Sequence, residues 1–203
     1  MDGVLFDSTK LVSDFMHFLY PTLTPAIQNE MWRGNFHEQM EKFRLANRGI
    51  EETPEEKINH RKAYAERKMR SPLFEGIMDL LQNLRKDGKI LTINTSAFEK
   101  NCLPLLQNSK TDNLFDFVAT AEISKNKSDK FEIISQKFDI PRNQMVFVTD
   151  TVGDIKEAAQ SGVPTIAVTW GAHDRSFFEN EKYDNLITIV DTVKELEDKL
   201  LSL

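Results

Sequence analysis

Met145-Val146-Phe147-Val148-Thr149-Asp150-Thr151-Val152-Gly153-Asp154 is the stretch on which the fold of this chain turns. Its first four residues are apolar without interruption, which suits a strand covered on both faces of a sheet. Polar residues follow at once, and Asp154–Ser161 then has a helical pattern. The same alternation extends outward from this unit. Ile90–Asn94, Phe117–Thr120, Thr165–Thr169 and Leu186–Val190 read as further strands, and Phe98–Gln107, Asp129–Phe138 and Val193–Leu203 as helices. Gly76–Lys86 reads as an amphipathic helix carrying Ile77, Leu80, Leu81 and Leu84 on one face. Strands alternating with helices predict an α/β fold, a doubly wound parallel sheet with helices on both sides.

The texture differs between Thr9 and Ser71, where no stretch reads as a strand. Helical segments there are broken by Pro21, Pro25, Gly34, Gly49 and Pro54. Thr53-Pro54-Glu55-Glu56 has the form of a helix start, with a hydroxyl cap, proline in the first turn and acids behind it. The expected organisation is an α/β core of residues 1–8 and 72–203, interrupted by an α-helical cap of residues 9–71. The insert carries 11 Lys+Arg and 9 Asp+Glu, a balance of +2 within a chain of −6.

An acidic chain lacks the concentrated basic face that a phosphate backbone requires, so no nucleic-acid partner is expected. A single cysteine, Cys102, excludes a disulfide framework and suits a reducing compartment. No apolar run approaches the ~18 residues that cross a bilayer, and the start lacks the pattern of a signal peptide. The expectation is a cytoplasmic protein without membrane contact, acting as a monomer or homodimer.

In an open parallel sheet, ligands bind beyond the carboxyl ends of the strands. Four polar clusters stand at such positions: Asp2-Gly3-Val4-Leu5-Phe6-Asp7-Ser8; Thr95-Ser96 after the Ile90 strand; Lys127 before a helix; and Asp150 with Asp154 after the Met145 strand. Carboxylates there suit Mg²⁺, which prefers oxygen ligands. A hydroxyl and an ammonium suit a phosphoryl group. Each cluster also has a plainer reading. Asp154 and Thr95-Ser96 can be helix caps, and Lys127 a solvated charge. Their succession along the strand ends favours the joint one.

Taken together, these motifs resemble the haloacid dehalogenase superfamily of hydrolases, of the phosphoglycolate-phosphatase-like kind with a helical cap. The family's first motif reads Asp-x-Asp-Gly-(Val/Thr)-Leu-x-Asp-Ser, and Met1–Ser8 matches it from its second position onward. Ile90–Thr95, Lys127 and Val146–Asp154 are similar to the second, third and fourth motifs, and Ala158-Ala159 and Gly162-Val163 continue the likeness. Thr149 stands where the family usually has glycine or an acid, and Ser128 where it often has proline.

The resemblance implies a Mg²⁺-dependent phosphatase that hydrolyses a small phosphorylated metabolite through a phospho-aspartate. In that scheme Asp2 is the general acid and base and lends its carbonyl to the metal. Asp150 and Asp154 complete the metal set, Lys127 neutralises the phosphoryl group, and Thr95 with Ser96 binds its oxygens. The nucleophilic aspartate falls before Met1, together with a strand of about five or six residues. Without it, turnover is expected to fall by about a million-fold. The competing readings are a catalytically inactive relative serving as a binding or regulatory module, and a sugar phosphomutase. Against the second, Arg48-Gly49-Ile50-Glu51-Glu52 has glutamate where a phosphomutase cap carries arginine. Arg33, Arg44 and Arg48 are the cap's candidates for a substrate anion. Asp7 and Ser8 start the next helix, in a structural or a functional role. Trp170–His173 is expected at the rim, with His173 a loop residue rather than a catalyst.

Overall fold

A computed structural model describes residues 1–203. Its first four helices, α1 (Thr9–Leu19), α2 (Pro25–Met31), α3 (Phe36–Ala46) and α4 (Pro54–Lys68), follow one another with no strand between them. Local chemistry sets their starts. Thr24 and Asn35 accept backbone N–H groups at the heads of α2 and α3. At α4, Thr53 Oγ1 accepts the Glu56 N–H at 3.3 Å, while the Glu56 carboxylate accepts the Thr53 N–H at 2.9 Å. That reciprocal pair is a capping box, found at the helix start read from Thr53-Pro54-Glu55-Glu56. Met16, Leu23, Met31, Met40 and Phe43 pack into a small core belonging to these helices alone.

The remaining elements alternate: α5 (Ile77–Lys86), β1 (Thr92–Asn94), α6 (Glu99–Asn108), β2 (Phe117–Ala119), α7 (Lys127–Phe138), β3 (Phe147–Thr149), α8 (Val152–Gln160), β4 (Thr165–Val168), α9 (Arg175–Glu179), β5 (Leu186–Val190) and α10 (Val193–Leu201). Every strand pair is parallel: β1 with β2, β3 with β4, and β4 with β5. The four apolar residues of α5 singled out in the sequence are all buried. With Val4, Ile166, Val168, Val190 and Leu196 they form the largest core cluster. Phe131, Ala158 and Val163 pack α7 and α8 in a separate cluster.

β1 and β3 are not bonded to each other, so the sheet has two halves, β2–β1 and β3–β4–β5. Chain order moves outward from this division on both sides, which makes it the topological switch point, the place where α/β sheets bind their ligands. Between the halves lies a cavity of about 500 Å³ walled almost wholly by apolar side chains. Ile90–Ile93 line it from one half-sheet, Met145–Val148 from the other, and Met1, Val4 and Leu5 also face it. β1 and β3 each begin two residues later than the sequence patterns do, and the residues so left out, Ile90, Leu91, Met145 and Val146, are on the cavity wall. Helix α9 was not foreseen, since five residues are too few to show a period. Asp174 starts it by accepting the Ser176 N–H at 2.9 Å. No helix is long and apolar enough to cross a membrane.

Candidate active site

At the carboxyl ends of β1 and β3, beneath the four-helix cap, a second cavity of about 610 Å³ is lined by Asp2, Thr95, Ser96, Lys127, Asp150 and Asp154. All six candidate residues therefore meet in one place although they span 152 positions of sequence. The β–α units explain the convergence. Thr95 and Ser96 follow β1 directly, Asp150 follows β3, Asp154 lies in the first turn of α8, and Lys127 opens α7.

The capping alternatives resolve in favour of the cavity. Thr151, not Asp154, caps α8, accepting the Asp154 N–H at 3.4 Å. At the head of α6 it is the Glu122 carboxylate that accepts the Glu99 N–H, at 2.9 and 3.0 Å, and Thr95 Oγ1 instead accepts the Ala97 N–H at 3.1 Å within its own turn. Lys127 is buried rather than solvated. Its Nζ donates to Ser96 Oγ at 3.0 Å and lies 3.2 Å from Asp154 Oδ1. Asp154 Oδ2 accepts the Thr149 hydroxyl at 2.7 Å, so the residue standing in place of the family glycine has acquired a partner.

Asp150 is 7 % exposed, and its carboxylate accepts one backbone N–H, from Ala172 at 2.9 Å. Burial pushes its pKa up to about 6; the Met1 amino group opposes the rise and Asp154 reinforces it. A buried carboxylate with one neutral donor and a second acid beside it is costly, and a hard cation with oxygen ligands would relieve that cost. The donor set therefore fits Mg²⁺. No three side chains among His, Cys, Asp and Glu come together as a metal cluster, so backbone carbonyls and water would have to complete the shell. Gly3 is required beside Asp150: its φ is +68°, and a Cβ there would fall 1.9 Å from Asp150 Oδ2.

Asp2, on the same cavity wall, is engaged by a different set of partners. Its Oδ1 accepts the Ser8 hydroxyl at 2.5 Å and its Oδ2 the ammonium of Lys68 at 2.9 Å. Burial alone would raise the Asp2 pKa, but Lys68 and Ser8 outweigh it and hold the carboxyl below its ordinary range. Lys68, the last residue of α4, is itself buried. It was missed in the sequence, where it is one of a run of cap lysines and arginines. Asp7 is exposed.

The cap closes over this floor through several contacts. His37 Nε2 lies 3.1 Å from the Ser96 carbonyl, and the Gly153 N–H donates to the Trp32 carbonyl at 2.9 Å. His173 is a buried loop residue: its Nδ1 accepts the Val152 N–H at 3.1 Å, which leaves the proton on Nε2, 3.1 Å from the Asn29 carbonyl of the cap. It braces the closed arrangement and takes no place among the reacting groups. Of the three cap arginines, Arg44 lines the cavity and Arg33 and Arg48 do not. Arg33 is paired with Glu181. Glu52, where a phosphomutase would carry arginine, is held by His60 and Arg61 and is likewise outside the cavity wall.

Comparison with known proteins places these features. Residues 1–168 match the family model of the haloacid dehalogenase-like hydrolases. The tyrosine-protein kinase PtkA of Mycobacterium tuberculosis is 28% identical over 98% of this chain and 70% of its own length. The phosphoglycolate phosphatase of Pseudomonas syringae pv. tomato is 24% identical over 97% of this chain and 76% of its own. Among solved structures, a predicted phosphatase from Clostridium acetobutylicum superposes with a TM-score of 0.75 at 21% identity, covering 100% of this chain and 96% of that one.

Proposed function

This chain belongs to the haloacid dehalogenase-like hydrolases, and from that premise we propose that it is a phosphomonoesterase whose reaction takes place in the cavity between cap and sheet. The observation that carries this reading is the meeting of an ammonium, two hydroxyls and three carboxylates at the switch point of a parallel sheet. Phosphoryl transfer asks chiefly for position and compensating charge, and these groups supply both.

Lys127 holds phosphoryl oxygens by charge, and the Thr95 and Ser96 hydroxyls hold them by hydrogen bonds. Asp2 serves as acid and base: its carboxyl, held ionised by Lys68 and Ser8, must first take up a proton from solvent before giving it to the departing ester oxygen, and it then removes one from the water that completes hydrolysis. Asp150, Asp154 and the carbonyl of Asp2 would hold Mg²⁺, which when bound supplies positive charge to the transferring group. The cap, residues 9–71 in this reading, excludes water and selects a small phosphorylated metabolite.

The nucleophile belongs to a segment ahead of Met1. What supports this is the apolar cavity of about 500 Å³ between β1 and β3, whose walls suit an extended apolar strand leading into Asp2. The test is to place about six apolar residues ending in Asp before Met1, and to assay a generic phosphomonoester with and without Mg²⁺. Mg²⁺-dependent turnover is expected, falling at least about a hundredfold in Asp150→Asn. A folded, extended protein without turnover would overturn the catalytic reading in favour of a binding module.

A further inference from the structure

Glu157 lies on α8, buried to 8 % exposure, and lines neither cavity. Its Oε2 accepts the backbone N–H of Lys127 at 2.6 Å, and its Oε1 accepts the side-chain amide of Asn35 at 2.7 Å. The Lys127 N–H is one of the donors that a helix leaves unsatisfied at its head, and Asn126, the residue before it, makes no side-chain cap. Glu157 therefore caps α7 from the neighbouring helix. Ser128, the residue standing where the family often has proline, donates its hydroxyl to the Glu157 carbonyl at 3.0 Å. On the cap side, Asn35 Oδ1 is engaged with the Glu38 N–H at the head of α3, so its NH₂ end is the one turned to the core. That NH₂ also reaches the Lys125 carbonyl at 3.2 Å and Asn126 Oδ1 at 3.4 Å, but its shortest bond is to Glu157, and the carboxylate is the partner that continues to the Lys127 N–H in the first turn of α7.

We propose that Glu157 is a positioning residue that transmits closure of the cap to Lys127. With the cap closed, both carboxylate oxygens are satisfied and the head of α7 is fixed. That places the Lys127 ammonium between Ser96 Oγ and Asp154 Oδ1. When the cap lifts, Asn35 leaves with α3, and the buried carboxylate loses a charge-assisted bond and with it one of its anchors. The catalytic significance of this coupling rests on the phosphatase reading above, but the coupling itself does not.

Amide exchange of Lys127, measured by NMR on the chain as it stands with the Phe131 amide of α7 as reference, tests it. Asn35→Ala is expected to speed Lys127 exchange about tenfold relative to Phe131. Glu157→Ala should do at least as much, and adding Asn35→Ala to it should add little, only what the longer Asn35 bonds to Lys125 and Asn126 contribute. Glu157→Gln keeps an acceptor for the Lys127 N–H but presents an NH₂ group to Asn35. It should preserve slow exchange and remove most of the response to Asn35→Ala. An unchanged Lys127 rate in Asn35→Ala, or a normal response to Asn35→Ala when Glu157→Gln is already present, overturns the proposal. In the extended, active form, Asn35→Ala should lower kcat several-fold at nearly constant KM, since Asn35 does not line the substrate cavity; an effect on KM alone would count against transmission through Lys127. Exchange coupling in an extended protein without phosphatase activity would establish the link and remove only its catalytic meaning.

Discussion

Two buried lysines illustrate how much depends on a single partner. Lys68 is tolerated because Asp2 meets it, and Asp2 stays ionised largely because of Lys68. Replacing one member of such a pair strands the other. Lys68→Met should cost about 2–3 kcal/mol in urea unfolding at pH 7, a value reduced from that of a fully buried pair because Asp2 is 26% exposed. Asp2 has a folded pKa below its ordinary 3.8, so its contribution is present above that value and is lost as pH falls through the lower folded one. Lys68→Met should accordingly show a smaller loss of stability on acidification than the parent. Lys130 is the opposite case. It is fully buried, donates to the Thr95 carbonyl at 2.6 Å, and has no carboxylate bonded to it. Burial, helped by Lys127, brings its pKa from 10.5 down to about 7. Such a depressed group stabilises the fold above the unfolded value, and that contribution is lost as pH falls toward about 7. Urea midpoints should therefore decline from pH 10 to pH 7 in the parent, and Lys130→Met should flatten that slope. An unaltered slope would mean that Lys130 remains charged throughout.

Among the elements, the loop joining α2 to α3 is one of the points at which cap and core are fastened. Gly153 admits it: a Cβ there would lie 2.3 Å from the Gly34 carbonyl oxygen and 2.8 Å from that of Trp32, both backbone atoms that cannot turn aside. Gly153→Ala should lift this loop while leaving the sheet intact. The expected sign is a red shift in Trp emission, as Trp32 leaves the His173 ring now 6.2 Å away, with little change in melting temperature. Unshifted emission would show that the loop accommodates the methyl group. The sequence reveals the elements well, because their signals are local. The apolar run at Met145, the α5 stripe and the Thr53 helix start are each continuous in sequence, and every strand and long helix read from such signals is present, although β3 takes up only the later part of its run. Thr95, Lys127 and Asp150 were legible because each stands at the end of a strand or the head of a helix, and Asp2 because it falls within a recurrent motif. Glu157, Lys68 and His37 were not. Their partners are 30 to 122 positions away for Glu157, 66 for Lys68 and 59 for His37, and nothing in their neighbourhoods distinguishes them from surface charges. Ser128 and Thr149 were legible only as departures, since the groups that they meet belong to other elements.

At the scale of the whole molecule, the cap and the sheet carry opposite charge, +2 between Thr9 and Ser71 and −8 elsewhere, which favours their closing upon each other at low salt. The division of the sheet has a broader effect. An ordinary open sheet ends in two places; this one ends in four, because β1 and β3 each present an unpaired flank inside the molecule. A row of free N–H and C=O groups bordered by apolar side chains is a template for any extended peptide, including the same segment of another molecule. Residues 1–203 alone should therefore be colloidally fragile. Their light scattering is expected to rise with concentration and temperature, with thioflavin-positive material appearing before the helices of the cap have melted. An added N-terminal strand should suppress both, whether or not its last residue is aspartate, because what prevents the assembly is occupation of the groove and not chemistry. On that account the segment that would arm the enzyme is also the one that keeps it in solution.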